Sequence, residues 1–182
     1  MVCRGFLLYN RIIVPEVSCA NQLYWTGYYG TFLGIQKPRN KEVKAPLELS
    51  LIEGLYLASV GALEVVDEHG KKLTLDELRK TATQRVEDFN SLHLVYADLR
   101  RRGFVVRKGL KFGCDFLVYR YGPGIDHAPF GVEIVKPDEE IDPIELVRIG
   151  RLLHSVKKKL LLAVPGKGTE EVRYLLLKWW KP

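Results

Sequence analysis

Between residues 84 and 102 apolar side chains fall at Val86, Phe89, Leu92, Val95, Tyr96 and Leu99, the three-and-four spacing of a helix with one buried stripe, and Gly103 stops it. Beyond Gly103 that period is lost. FVVRKGL, FGCDFLVYRYG, FGVEIV, LLLAVP and VRYLLLKWW are apolar runs of strand length, separated by Gly, Pro and charged turns. One further helical stretch, about 143–157, interrupts them, with Ile144, Val147, Leu152, Leu153 and Val156 on its apolar side. The C-terminal half therefore reads as a helix followed by β-β-loop-β-α-β-β, and such a pattern buries its apolar faces by packing helices on a mixed sheet.

The N-terminal half carries two capping boxes, Ser50 with Glu53 and Thr74 with Glu77, each opening a short helix. ALEVVDEHGKKL reads as strand, turn and strand around His69-Gly70. The first forty residues are rich in aromatic, β-branched and Gly residues and predict a small antiparallel sheet, and QKPRNKEVKAP (36–46) a surface loop. The expected organisation is α/β in the α+β sense: a small N-terminal α/β domain over 1–82 and a larger domain over 83–182.

No apolar run approaches the roughly 20 residues of a membrane span. The start, MVCRGFLLYNRIIV, is interrupted by Asn10 and Arg11 and lacks a cleavage site, so the chain is expected to work in the cytoplasm without membrane contact. Three cysteines, at 3, 19 and 114, are too scattered for a zinc site or a disulfide framework, and Cys114 reads as a small buried hydrophobe. Charge is uneven: residues 91–182 carry 17 Lys/Arg against 11 Asp/Glu, which is the whole net charge of +6. A polyanion is the natural partner for that half, although a solvated basic surface gives the same count. Arg100, Arg101 and Arg102 in a last helical turn are better read as complementing the helix dipole than as RNA contacts.

Three side chains carry the candidate chemistry: Tyr119 at a strand end, His127 on the loop YGPGIDHAP, and Lys158 where a helix meets an apolar strand. Taken singly, each has an ordinary role as a packing phenol, a solvated imidazole or a cationic helix end. Together they suit RNA cleavage by internal transesterification. That reaction removes the 2′-hydroxyl proton, protonates the departing 5′-oxygen and balances charge at phosphorus. An imidazole donates near neutral pH, an ammonium supplies charge without a metal, and a phenol with an ordinary pKa of about 10 needs help from its surroundings. A rival arrangement, Asp115, Glu133 and Lys136, resembles a D…E…K metal site. Two residues separate Glu133 from Lys136, however, where strand alternation wants one.

Longer stretches around these residues carry a family resemblance. YADLRRRGFVVRKGLKFGCDFLVYRYG (96–122) looks like the helix, Gly turn and K-F-G-x-D-F-x-V-Y pattern of the tRNA-intron endonucleases. GRLLHSVKKKLLLAVP (150–165) resembles that family's R-x-x-H-S-x-K/R-K-x-L segment, and LSLIEGLYL (49–57) with TLDEL resembles the small N-terminal domain of its archaeal members. The resemblance implies a restriction-endonuclease-like catalytic domain that cleaves pre-tRNA at bulge–helix–bulge junctions, with no metal and no cofactor. It also implies Tyr119 as general base, His127 as general acid and Lys158 as transition-state stabiliser. Arg151 matches an Arg that pinches a bulged base, with Arg173 and Trp179 as further members of that clamp. His154 lies near the apolar side of its helix and reads as a core residue. The family's acidic loop is reduced here to GKGTEE (166–171), which leaves open a homo-oligomer or a heterotetramer with a non-catalytic paralogous subunit. The last strand, apolar on both faces, reads as a subunit interface or as a central strand.

Overall fold

A computed structural model describes residues 2–180, and the chain divides into two compact units, 1–93 and 94–182. Each is built on a five-stranded mixed sheet.

In the first unit the sheet runs β3-β4-β2-β1-β5, with β1 (Cys3–Leu8), β2 (Arg11–Val14), β3 (Thr31–Phe32), β4 (Leu47–Ser50) and β5 (Leu63–Val66). β1 pairs antiparallel with β2 and parallel with β5. α2 (Leu51–Ser59) and α3 (Leu75–Arg85) start at the two capping boxes expected, with the reciprocal bonds formed at Ser50/Glu53 and Thr74/Glu77. The second strand expected after His69-Gly70 shrinks to one bridge, Val66 to Lys72.

Two expectations need correction. The first forty residues are not all strand: Val17–Gly27 is a helix, α1, capped by Glu16 and closed by Tyr28 at φ 53. It buries Cys19, Ala20, Leu23 and Tyr24, a helical spacing, so burial of one stripe overrides the β preference of its aromatic residues. The cysteines at 3 and 19 also form a disulfide, with Cα atoms 5.6 Å apart, joining β1 to the first turn of α1. That pairing is visible only once α1 is known to pack beside β1.

The helix expected from about 84 instead begins at Phe89. α3 ends at Arg85 with Val86 as its cap, packed against the first unit's core, and Asp88 turns the chain at φ 53. α4 then spans Phe89–Arg101.

The second unit has sheet order β10-β9-β8-β7-β6: β6 (Val105–Lys108), β7 (Phe116–Tyr119), β8 (Phe130–Ile134), β9 (Lys159–Pro165) and β10 (Val172–Leu177). β8 and β9 are parallel neighbours joined through α5 (Pro143–Ser155), and the other pairs are antiparallel. Strand alternation sends Leu117, Leu160 and Leu162 toward Ile149 and Leu153 of α5. The opposite face meets α4, where Tyr96 packs on Phe116 and the Tyr174 hydroxyl donates to Asp98 at 2.7 Å. α5 starts at Asp142, whose carboxylate accepts from Ile144 N, with Pro143 in the first turn. It comes so close to β8 that a Cβ on Gly131 would lie 2.5 Å from Leu153 Cδ2. β10 is an edge strand, which removes the central-strand reading of its apolar sequence. Leu175 is 58% exposed and Trp180 83%.

Candidate active site

Tyr119, His127 and Lys158 are carried by segments at one end of the second sheet, where the register of three strands runs through one residue, Phe130. Val118 of β7 pairs with Phe130 from one side and Lys159 of β9 pairs with it from the other. Tyr119 is one residue past Val118, Lys158 one residue before Lys159, and His127 lies three residues ahead of Phe130 on the entering loop. Lys158 Nζ donates to the Ala128 carbonyl at 3.1 Å, beside His127, and sits over the Phe112 ring at 5.4 Å from its centroid. Tyr119 and Phe112 both pack against the cluster that includes Ala128, Leu117 and Leu153. The imidazole of His127 is exposed and the Tyr119 ring half-buried.

The placement of Lys158 rests on the end of α5. Lys158 N returns to the Leu153 carbonyl at 2.8 Å and Lys157 N to His154 at 3.0 Å, closing the helix with Lys157 in the left-handed region at φ 59. Glycine would adopt that conformation without a Cβ penalty. Lys157→Gly is therefore expected to raise stability by about 1 kcal/mol, measured by denaturant unfolding, with no gain if the helix ends otherwise.

Electrostatically the site is mixed. Burial holds the Tyr119 phenol above its ordinary value; Arg107, on the same sheet face, pulls it down and Asp126 pushes it further up. Burial pushes the Cys114 thiol up to about 12, so it is an inert core residue as expected. Asp115 is held by Ile134 N at 2.8 Å and helps to fix β8. Glu133, half-buried between Asp115 and α5, is pushed up to about 7, first by burial and then by the Asp115 carboxylate. A raised carboxyl keeps its proton in the folded state after the unfolded chain has released it. Stability thus falls as pH rises from about 4.5 through about 7. Glu133→Gln is expected to remove that fall. Above pH 7 the gain is of order 1–2 kcal/mol, discounted for partial exposure, and it vanishes below pH 4.5. Melts across pH check this, and a gain that grows on acidification refutes it.

The clamp candidates do not all gather. Arg151 and Trp179 line one open cavity with Val147, His154 and Trp180. Arg173 lies toward the other end of β10, pairing with Val164 and bridged to Glu171 at 3.3 Å. His154 is exposed, with its ring edge on Trp179, so the core role expected for it is wrong. Its position beside the apolar stripe gave the wrong impression, since the neighbouring Leu153 takes the buried place. Sequence reasoning passed over Asp126, whose carboxylate accepts from the backbone N–H groups of Arg120, Tyr121 and Gly122. An Asp closing a Gly-rich loop was the signal available.

The chain is thus a two-unit α+β protein that carries a phenol, an imidazole and an ammonium on segments at one end of its second sheet. Similarity to known proteins gives the family. The tRNA intron endonuclease catalytic C-terminal domain matches residues 89–174, and the tRNA intron endonuclease N-terminal domain matches residues 3–79. The chain is 51% identical over 179 residues to the tRNA-splicing endonuclease of Hyperthermus butylicus, covering 98% of this chain and 99% of that protein. It is 44% identical to that of Saccharolobus solfataricus and 43% to one from Saccharolobus islandicus, each over 98% of both chains. This chain belongs to the tRNA intron endonuclease family.

Proposed function

We propose that the protein is a tRNA-splicing endonuclease that excises introns from pre-tRNA at bulge–helix–bulge junctions by attack of a ribose 2′-hydroxyl, without a metal. The observation that supports it best is the shared register at Phe130, which brings Tyr119, the His127 loop and Lys158 to one sheet end. Tyr119 takes the proton of the 2′-hydroxyl, and the 2′-oxygen attacks the adjacent phosphorus. The bond to the 5′-oxygen breaks as His127 gives that oxygen a proton. Lys158 balances the charge on the non-bridging oxygens. The products are a 2′,3′-cyclic phosphate and a 5′-hydroxyl. Unstacked bulge nucleotides reach the in-line geometry that a stacked helix denies them. Arg107 is the cation that favours ionisation of Tyr119 against its burial. Arg151 and Trp179 take an unstacked base by cation and ring contact, and Arg173 contributes from a surface further along β10.

The enzyme acts as an assembly, a homo-oligomer or a heterotetramer with a paralogous subunit, because the β10 edge exposes Leu175, Leu176 and Leu177. The test is incubation of the purified chain with an intron-bearing pre-tRNA in excess EDTA. Excision ending in cyclic phosphate supports the reading and shows the chain self-sufficient. Excision only with an added second chain supports the heterotetramer. Cleavage abolished by EDTA and restored by Mg²⁺ sinks the mechanism.

A further inference from the structure

We propose that Asp126 is a positioning residue of this reaction, its carboxylate gathering the backbone of residues 120–122 and so fixing His127 relative to Tyr119. The inference rests on the reading of His127 as the general acid.

The loop between β7 and β8 would otherwise be poorly defined. It contains Gly122 and Gly124, both at positive φ (129 and 87), with Pro123 between them. Asp126 closes it. Its Oδ2 accepts from Arg120 N at 3.0 Å, and its Oδ1 accepts from Gly122 N at 2.7 Å and Tyr121 N at 3.3 Å. The Asp126 and Ile125 amides return to the Gly122 carbonyl, each at 3.1 Å. Arg120 directly follows Tyr119, so one carboxylate ties the strand end that carries the phenol to the residue before the imidazole. On the other side of His127, Ala128 is 1% exposed and its carbonyl takes the Lys158 ammonium at 3.1 Å. An exposed imidazole thus stands between two anchored neighbours, one tied to Tyr119 and one to Lys158.

An ionised carboxylate is suited to this because hydrogen bonds from N–H groups to a charged acceptor are about twice as strong as neutral ones. An amide offers Gly122 and Tyr121 the same acceptor but turns a donor toward Arg120 N. The charge has an opposing effect, since Asp126 disfavours the Tyr119 phenolate while Arg107 faces it from β6. The carboxylate is therefore poorly placed to help the base directly, and its contribution lies in holding the acid.

The test compares the full-length enzyme with D126A, D126N and H127A in single-turnover cleavage of two pre-tRNAs. One has the natural linkage; the other has sulfur in place of the bridging 5′-oxygen at the cleaved bond. A thiolate leaves without a proton, so a defect in the acid step disappears on the sulfur substrate, whereas a general folding defect slows both. D126A is expected to slow the natural linkage about 10–100-fold, the cost of misplacing a catalytic group by about 1 Å. On sulfur it recovers the parent rate, as H127A does. D126N falls between D126A and the parent. Equal slowing of D126A on both linkages while H127A is rescued overturns the inference and leaves the His127 reading intact, as does an unslowed D126A. H127A cleaving the natural linkage at the parent rate overturns the His127 reading and this inference together. If D126A melts below the assay temperature, D126N is judged by the same criteria.

Discussion

Replacing His127 by Ala is expected to slow single-turnover cleavage of pre-tRNA by about 10²–10⁴-fold, the usual contribution of a positioned acid. The melting temperature should hardly move, because the imidazole is exposed. Tyr119→Phe should lose rate on the same scale, and the retained ring should keep the packing against the Ala128 and Leu117 cluster. Lys158→Ala should behave differently. Its ammonium binds the Ala128 carbonyl and covers Phe112, so the change loosens the loop as well as removing charge from phosphorus. In the proposed mechanism the three act on one transition state, so their losses should not add, and the triple variant should be little worse than the worst single one. Rates under single turnover, with RNA affinity measured separately, check these expectations. A variant that weakens RNA binding but cleaves bound RNA at the parent rate would remove that residue from the chemistry.

Breaking the Cys3–Cys19 bond is expected to cost about 3 kcal/mol, the loop-entropy value for a closed stretch of this length. The sequence separation is 16 residues, and the bond joins β1 to the first turn of α1. Both half-cystines are buried, Cys3 at 1% and Cys19 at 3% exposure, so reductant should act slowly on the folded chain and quickly once it opens. Cys19→Ser should show the loss in denaturant melts without reductant, while the parent should match it only after reduction. Identical melts for the parent with and without reductant, under conditions that free both thiols, would remove the bond from the stability of the protein.

Local signals survived into the fold where one residue type decides the backbone. The capping boxes at Ser50 and Thr74 start helices because their side chains satisfy amides that no tertiary contact could reach better. Likewise Gly61 and Gly103, both at positive φ, follow α2 and α4. Features that depend on distant partners were hidden. α1 carries Tyr24 and Trp25, which favour strands locally, and turns helical because Cys19, Leu23 and Tyr24 find one common core. The disulfide was missed for the same reason, since its two cysteines meet only across that packing. Of the proposed site, Tyr119, His127 and Lys158 were singled out by residue type together with the family resemblance of the stretches that carry them. Asp126 did not, because its partners are amides, which have no sequence identity. His154 lies one residue from the buried Leu153, and helical periodicity cannot separate adjacent positions at the margin of a stripe.

The pairing at Phe130 has an evolutionary corollary. Groups placed by strand pairing depend little on the side chains of the far helix face, so residues of the flanking helices away from the end of α5 that seats Lys158 are free to drift. What such a protein cannot tolerate is an insertion or deletion within β7 or in the first residues of β8 and β9. Adding one residue there would turn the phenol or the ammonium to the reverse side of the sheet. Length variation among working enzymes of this kind should therefore collect in the turns at the far end, such as 166–171, and be absent from these three segments.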